Sequence, residues 1–262
     1  MRVIFASIYR GVLVIIGASV GVLTVLIETQ IVHWSPWVVA SVAITLGVVT
    51  CVDNVRLLAF KFQAHERGAA RSRMHQPLVG ALNAVAVARG VPLDKLGISV
   101  FAIRRGIGMK WWFIPWRVER LKRVFRFRLS NYPPPSPVRW TKGKGTIGEC
   151  WQTGIKAIHD RRSAAARYGR GNHPTGDRYE GVAAIDRCGF TESEFIQTID
   201  KYGEILAVPI TEQHSGELIG VLSIDCLLSA YTPAVVTILD GDDIEEIAGG
   251  AAFTVRDDVP RF

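Results

Sequence analysis

The sequence predicts an α+β domain that follows a two-helix transmembrane hairpin. Two observations carry this prediction: a pair of uncharged apolar runs near the N-terminus, and a downstream succession of short β-rich and helical segments. The downstream order is strand, strand, helix, loop, helix, hairpin, helix. Because neighbouring strands with short connections pair antiparallel, this order favours a mainly antiparallel sheet with flanking helices.

The two apolar runs comprise residues 11–27 and 29–52, with Glu28 as the single charge between them. A helix needs roughly 20 apolar residues to cross a bilayer core, within a range of about 17–25, and both runs fall in that range. Trp34 and Trp37 lie at the intervening turn, where indole rings favour the headgroup layer, so both are candidate membrane-interface residues. A cleaved signal peptide is disfavoured, because a good cleavage site is missing after the first run. A buried soluble hairpin is the other alternative.

Basic residues flank the predicted hairpin and are missing from its turn. Arg2 and Arg10 precede the hairpin, and Arg56 and Lys61 follow it. By the positive-inside rule both termini are expected in the cytoplasm, in a multi-pass protein of the inner cell membrane. The formal net charge of +7 suits a domain held beside an anionic leaflet, so the lipid bilayer is an expected partner.

The chain is expected to divide into three segments. Residues 1–52 form the hairpin, residues 53–76 a helical juxtamembrane connector, and residues 77–262 the cytoplasmic domain. Pro77 is expected to break or restart the helix, because proline removes a helical hydrogen bond. The connector could carry motion or pair with a second copy, or it could be a solvated helix with no further role.

Strands and loops of the domain are predicted from local patterns. Residues 98–104 are β-rich, and residues 121–130 alternate aromatic with arginine side chains, so both predict strands. Residues 161–181 are rich in Arg, Gly, Asn and Asp and are expected to form a mobile loop or lid. Thr191 and Glu194 have the spacing of a capping box, which predicts a helix start.

Further elements complete the predicted domain. Residues 147–153 fit a short helix. Residues 204–210 and 217–225 are apolar strands joined by a Ser-Gly turn, which predicts a hairpin. The segment 240–243, Asp-Gly-Asp-Asp, is expected to cap a final helix that runs to about Val255.

Motifs of catalysis and of metal binding are missing from the sequence. It contains no His-Glu-x-x-His and no P-loop, so no catalytic residue and no enzyme activity is expected. Cys51, Cys150, Cys188 and Cys226 are far apart and form no Cys-x-x-Cys, so neither a zinc site nor a redox pair is indicated.

Residues 143–148 match the pattern Gly-x-Gly-x-x-Gly. Dinucleotide binding would require this pattern to lie inside a βαβ unit. A Pro-rich stretch precedes it at 133–137 and only a short helix follows, so a strand-to-helix turn is the favoured interpretation. Such a turn could still present backbone N–H groups to an anion.

Three segments together resemble the GAF domain: residues 143–154 (GKGTIGECWQTG), 202–210 (YGEILAVPI) and 216–225 (GELIGVLSID). The resemblance covers about residues 78–255. It implies a central antiparallel sheet with flanking helices, a pocket for a small molecule between the sheet and the loops on one face, and a homodimer. From the match alone, the candidate ligand-binding residues are Trp140, Ile147, Trp151, Phe195 and Asp225.

Signatures of the specialised GAF classes are missing. Cyclic-nucleotide GAF domains carry an Asn-Lys pair, which this chain lacks. Methionine sulfoxide reductases of the GAF type have a cysteine where Ile147 stands, so that activity is not expected. Bilin-binding members attach chromophore to a cysteine that typically lies beside a histidine, and none of the four cysteines has a histidine neighbour in sequence. The cofactor stays unknown, and haem on a lone histidine such as His159 or His173 is left open.

An aromatic stretch at 111–116 (WWFIPW) lies among basic residues. Trp111, Trp112 and Trp116 are therefore candidate membrane-interface residues. Packing of these rings in the core beside a solvated basic strand explains the same composition, and so does nucleic-acid binding. Nucleic acid is the less favoured partner, because the domain is expected beside a leaflet.

The expected function is that of a membrane-tethered sensor, which binds an unidentified small cytosolic molecule and has no enzymatic output of its own. One alternative is a ligand- or assembly-triggered effector that perturbs the bilayer, as in bacterial defence. Another is a scaffold whose GAF-like fold only dimerises. The ligand, the direction of signalling and the protein partners are left open by the sequence.

Overall fold

The computed structural model describes residues 35–110, 114–130, 132–169, 171–232 and 237–262. By contacts the chain divides into two units, Met1–His65 and Glu66–Phe262. The helices are α1 (Pro36–Arg89), α2 (Gly145–Thr153), α3 (Arg162–Tyr168), α4 (Asp177–Glu180), α5 (Ala184–Arg187), α6 (Glu192–Ile199) and α7 (Asp242–Val255). The strands are β1 (Leu96–Lys110), β2 (Ile114–Phe127), β3 (Ala157–Asp160), β4 (Tyr202–Thr211) and β5 (Leu218–Leu227).

The five strands form one sheet in the order β2-β1-β5-β4-β3, and every neighbouring pair is antiparallel. Ile224 in the middle strand β5 lies opposite Ile98 of β1 and Leu206 of β4. The expected α+β architecture, an antiparallel sheet with flanking helices, is therefore confirmed for the second unit.

One face of the sheet packs on α1 and α7. Because side chains alternate across a strand, Ile98 and Val100 point to this face while Ser99 and Phe101 point to the other. The part of α1 that lies in the second unit contributes buried side chains at a spacing of three or four residues, as an amphipathic helix should. These are Ala70, Met74, Leu78, Leu82 and Val85.

Pro77 lies inside α1, so the prediction that it ends or restarts the helix is wrong. A proline within a helix removes one backbone hydrogen bond and costs about 3 kcal/mol. Its neighbours Met74 and Leu78 are fully buried against the sheet, and burying such side chains stabilises by roughly 1.5–3 kcal/mol each. Packing thus offsets the cost and keeps the helix continuous.

The opposite face of the sheet carries α2 and the segment from α3 to α6. Phe101, Val221 and Ala207 of the sheet pack on Ile147 and Trp151 of α2. The prediction of a mobile loop at 161–181 is only partly met, because this stretch contains the short helices α3 and α4. Strand β3 was not predicted from the sequence. This face holds the candidate site.

The predicted capping box at the start of α6 is confirmed. Thr191 accepts a hydrogen bond from the backbone of Glu194, whose carboxylate accepts one from the backbone N–H of Thr191 at 3.0 Å. Lys144 at the start of α2 adds an ion pair to Glu194 at 2.9 Å. Burial alone would raise the pKa of Glu194, but these hydrogen bonds outweigh it and hold that pKa below its usual value.

A buried carboxylate fastens the segment that precedes α7. Glu204 of β4 is 1% exposed and accepts hydrogen bonds from the backbone N–H groups of Ile238 (2.9 Å) and Leu239 (2.7 Å). Arg162 lies 3.5 Å from the other carboxylate oxygen. The adjacent Gly203 lies under the ring of Tyr231, where a Cβ would collide with the ring.

Strand β1 extends beyond the region in which it pairs with β5. Its pairing with β5 ends at Ala102, whereas its pairing with β2 continues to Lys110 opposite Ile114. Within the part of the chain that the structure describes, the outer portions of β1 and β2 therefore form a two-stranded ribbon. Trp116 lies on this ribbon, while Trp111 and Trp112 fall outside the described residues.

The predicted membrane hairpin receives no support. Over the described ranges, none of the helices has an apolar stretch long enough to cross a bilayer. The run at 11–27 and Trp34 lie outside those ranges, and the second run is described only from Ser35, within a helix that carries charges from Asp53 onwards. The expectation of a multi-pass protein of the inner cell membrane with cytoplasmic termini is contradicted by this finding. The division at residues 52 and 76 stays a prediction.

Candidate functional site

A pocket lies between the sheet and the segments that cover its second face. Its floor consists of residues of β1, β2, β4 and β5. Its roof comes from the stretch before α2, from α2 itself and from the segment that runs from Arg161 to α6. The cavity has a volume of about 40 Å³, which is enough for a few water molecules. The lining residues are Ser99, Phe101, Arg123, Arg126, Ser136, Trp140, Ile147, Arg161, Phe190, Thr198, Tyr202, Ile205, Ser223 and Asp225.

Aromatic rings form one wall of this pocket. Trp140 packs edge-on against Phe101 of β1, with ring centroids 5.8 Å apart, and against Phe190, with centroids 6.2 Å apart. Gly145 at the start of α2 adopts a positive φ of 57°, and a Cβ there would lie 2.8 Å from the ring of Phe190. Glycine at this position therefore lets the helix start approach the aromatic wall.

Arg161 is the most unusual residue of the pocket. It follows β3, is 3% exposed, and donates one hydrogen bond to the Thr198 hydroxyl at 3.2 Å. Among the described residues, its Nε and Nη2 atoms are buried without a hydrogen-bond partner. Its guanidinium lies 5.3 Å from the ring centroid of Phe190 and 6.0 Å from that of Phe195. Burial lowers the pKa of Arg161, because the charged form is desolvated.

Two further arginines from β2 line the same pocket. Arg123 lies 5.2 Å from the ring centroid of Phe101, and its Nε atom is buried without a partner among the described residues. Burial also lowers the pKa of Arg123. Arg126 donates to the backbone oxygen of Pro133 at 2.5 Å. The pocket thus gathers three positive side chains.

The acidic residue of the pocket is already neutralised. Asp225 of β5 forms an ion pair with Arg128, whose side chain is 2% exposed. Gly97 lies opposite Asp225 in the β1–β5 register, and a Cβ there would lie 2.5 Å from the Arg128 guanidinium. The glycine therefore leaves room for this ion pair. With Asp225 paired in this way, the electrostatic field in the pocket is set by Arg123, Arg126 and Arg161.

Three of the five predicted ligand-binding residues line the pocket, namely Trp140, Ile147 and Asp225. Phe195 is fully buried below Arg161 and forms part of the core. Trp151 lies in a neighbouring surface cleft, where the Lys142 ammonium is 5.6 Å from its ring centroid. Whether any of the five contacts a ligand stays a prediction. Of the predicted interface residues with a described side chain, Trp37 is 82% exposed.

The glycine-rich stretch at 143–148 is a turn into α2. A nine-residue helix follows it, and the next strand, β3, pairs antiparallel with β4. The parallel βαβ unit that dinucleotide binding requires is therefore not formed here. The favoured interpretation as a strand-to-helix turn is consistent with this arrangement.

No cysteine has a histidine next to it in the sequence, but the folded chain brings one cysteine and one histidine into contact. The Cys188 sulfur lies 3.8 Å from Nδ1 of His159, although 29 residues separate them. His159 Nε2 lies 2.6 Å from Glu149, and His173 Nε2 lies 2.7 Å from Asp200. Among the described residues there is no group of three or more His, Cys, Asp or Glu side chains that could hold a metal ion.

Comparison with solved structures finds similar chains, and two of them are described below. No protein-family model and no curated protein matches the chain. A type II free methionine-R-sulfoxide reductase from Thermoplasma acidophilum is 15% identical, with a TM-score of 0.40 over 75% of this chain and 96% of that one. A putative GAF sensor protein from Burkholderia vietnamiensis is 19% identical, with a TM-score of 0.36 over 75% of this chain and 92% of that one.

Proposed function

We propose that the unit Glu66–Phe262 is a GAF-like sensory module that binds a small anionic molecule with a planar apolar part. The observation that carries this proposal is Arg161, a buried cation with two unpaired nitrogens that lines a pocket. The GAF assignment is supported by the sequence motifs at 143–154, 202–210 and 216–225 together with the five-stranded antiparallel sheet.

The burial of Arg161 is energetically unfavourable in the absence of a ligand. A buried charge without a partner costs several kcal/mol, and proteins usually pair such a charge or remove it. Arg161 has instead a hydroxyl and two aromatic faces as neighbours. A carboxylate or phosphate on the ligand would satisfy Nε and Nη2 together, because a guanidinium presents these donors in a fork that matches two oxygens.

The aromatic wall specifies the second part of the ligand. The pocket is lined by the aromatic rings of Phe101, Trp140 and Phe190, which pack edge-on against each other. Aromatic surfaces of this kind favour a flat apolar group on the ligand. Ser99, Ser136 and Ser223 add hydroxyl groups, and the Ser136 hydroxyl is buried without a partner among the described residues. A ring or conjugated chain that bears one anionic group fits this lining.

The present size of the pocket implies that binding changes the conformation. A cavity of about 40 Å³ is too small for such a molecule, since ligand sites of this kind measure roughly 300–1,000 Å³. The covering segments must therefore move when the ligand enters. A ligand that binds only the open form shifts the population toward it, which is the property a sensor requires.

The test measures binding of charge-matched pairs to the full chain by calorimetry. Benzoate is compared with benzamide, and phenyl phosphate with phenol. The anionic member of each pair is expected to bind at least tenfold more tightly, equivalent to about 1.4 kcal/mol. Arg161→Met should remove this preference, because the charge-assisted hydrogen bonds are lost.

Arg167→Met is the matched control, since Arg167 is an exposed arginine that pairs with Asp186 outside the pocket lining. It should bind the anions as the unaltered chain does. Equal affinity for the anionic and neutral members of both pairs, or an unchanged preference in Arg161→Met, would show that the pocket is not an anion site.

A further inference from the structure

A contact chain of three side chains borders the anion pocket. The sulfur of Cys188 lies 3.8 Å from Nδ1 of His159, and Nε2 of His159 lies 2.6 Å from a carboxylate oxygen of Glu149. Cys188 follows α5, His159 lies on β3 and Glu149 lies on α2. The three side chains therefore come from three separate elements, with His159 between Cys188 and Glu149.

The contact with Glu149 selects one tautomer of the neutral histidine. A carboxylate can only accept a hydrogen bond, so Nε2 of His159 carries the proton that points to Glu149. Nδ1 then holds the lone pair and lies 3.8 Å from the Cys188 sulfur, while the thiol of Cys188 donates at rest to the backbone oxygen of Ile185 at 2.9 Å. A base with its acceptor nitrogen toward a thiol can take the thiol proton, and Glu149 stabilises the imidazolium that results.

Arg161 connects the thiol to the anion pocket. A small cavity next to that pocket is lined by Cys188, His159 and Arg161 together, and Trp140, Ile147 and Phe190 line both spaces. Arg161 is 3% exposed and has two unpaired nitrogens among the described residues. An anionic group held by Arg161 would therefore lie beside the sulfur.

The local backbone holds Cys188 in place. Cys188 adopts a φ of 49°, in the left-handed region that residues other than glycine rarely enter. Its carbonyl accepts a hydrogen bond from the backbone N–H of Gly145 at 2.7 Å, which ties it to the start of α2. The side chain is half-buried, so small reagents have access to it.

We propose that Cys188 is a nucleophilic thiol that captures small anionic electrophiles covalently, with His159 as its base and Arg161 as the contact for the anionic group. The sulfur attacks an electrophilic carbon, a carbon–sulfur bond forms, and the leaving group departs with the electron pair of its bond to that carbon. The thiol proton passes to Nδ1 of His159. The preference for an anion rests on the proposed function, whereas activation of the thiol by His159 does not.

The reactivity of Cys188 can be compared with that of the three other cysteines in the same chain. Burial raises the pKa of the Cys188 thiol, so the thiol is protonated at rest and needs a base to react. Cys150 and Cys226 are fully buried, and burial raises the pKa of each to about 12. Cys51 is exposed and serves as the reference thiol within the same chain.

The experiment measures alkylation of the full chain by iodoacetamide and by iodoacetate, with rates assigned to single cysteines by mass spectrometry of peptides. Iodoacetamide tests the base alone. Cys188 is expected to react faster than in His159→Gln by at least tenfold, while the Cys51 rate in the same samples stays unchanged. Cys150 and Cys226, which are buried in the same unit as Cys188, should stay unreactive in both proteins and so report that the fold is intact. Equal Cys188 rates in the two proteins, with Cys51 unchanged, would overturn the inference.

Iodoacetate tests the anion contact. The ratio of iodoacetate to iodoacetamide rates is expected to be at least tenfold higher at Cys188 than at Cys51, and Arg161→Met should bring the two ratios together. A faster Cys188 with no preference for iodoacetate would overturn the role of Arg161 and leave activation by His159 standing. Loss of activation with tight binding of benzoate would overturn the nucleophile and leave the proposed function standing.

Discussion

Arg161→Met should make the empty protein more stable, although it removes an arginine that is 3% exposed. Methionine fills a similar volume, carries no charge and has a flexible side chain that adapts to irregular space. In Arg161 two guanidinium nitrogens are buried without partners among the described residues. Even a buried ion pair can often be replaced by apolar side chains of similar volume without loss of stability, and a buried charge without a partner is more costly than a paired one.

The magnitude follows from the contacts of the guanidinium. Each unpaired buried nitrogen costs about 1–3 kcal/mol. Against this, the substitution loses the hydrogen bond to Thr198, worth about 0.5–1.5 kcal/mol, and the contacts with the faces of Phe190 and Phe195, worth about 1 kcal/mol each. The balance is a gain of about 1 kcal/mol in the free energy of unfolding, or roughly 2–4 °C in Tm for a unit of this size.

Arg128→Met is the matched comparison, because Arg128 is also buried, at 7% exposed, but forms an ion pair with Asp225. Removing it leaves the Asp225 carboxylate without its partner. We expect a loss of about 3–5 kcal/mol, as is typical when one member of a buried ion pair is removed. The two substitutions are chemically identical, and the structure predicts effects of opposite sign.

The assay is urea unfolding followed by circular dichroism, without added anions. A loss of more than about 1 kcal/mol in Arg161→Met would refute the reasoning, since that arginine would then be a structural residue whose neighbours stabilise it. Similar losses in Arg161→Met and Arg128→Met would lead to the same conclusion. Addition of benzoate should stabilise the unaltered chain and leave Arg161→Met unchanged.

Three further substitutions test other features of the fold. Glu204→Gln should lower the free energy of unfolding by about 1–3 kcal/mol, since an amide accepts the two backbone N–H groups less strongly and no longer pairs with an arginine. Gly203→Ala should lower the Tm because the new methyl group collides with the ring of Tyr231, at a cost of about 1–3 kcal/mol. The lowered pKa of Glu194 means that its charged form stabilises the fold above the unfolded pKa, near 4.5, and that this contribution is lost as the pH falls through the folded pKa. Glu194→Gln should therefore flatten the decline of the unfolding free energy below about pH 4.5 in acid titrations, and an equally steep decline would show that another group is responsible.

Features with a local cause could be predicted from the sequence. The capping box of Thr191 and Glu194 depends on a three-residue spacing, and the β4–β5 hairpin depends on two apolar runs around a short turn. The continuity of α1 through Pro77 could not be predicted in this way, because it depends on the burial of Met74 and Leu78 against strands that are distant in sequence.

The candidate site was only partly accessible to sequence reasoning. Trp140, Ile147 and Asp225 followed from the family resemblance, which places pocket residues by their position in a motif. Arg161 lies in a polar, arginine-rich stretch, and nothing in that composition distinguishes it from the exposed arginines nearby. Its burial comes from packing on Phe190 and Phe195, and from a backbone hydrogen bond to Gly203 at 2.7 Å that extends β3 by one residue.

The ribbon formed by the outer parts of β1 and β2 exposes backbone groups on two sides. Open strand edges can pair with other chains, and charged side chains along such edges oppose this association. Arg105, Glu119 and Arg120 are exposed on the ribbon, and Arg105 forms ion pairs with Glu119 and with Glu217 of β5. Aggregation resistance therefore depends on these side chains, and replacing Arg105 and Arg120 with valine should cause concentration-dependent assembly while the pocket is left intact.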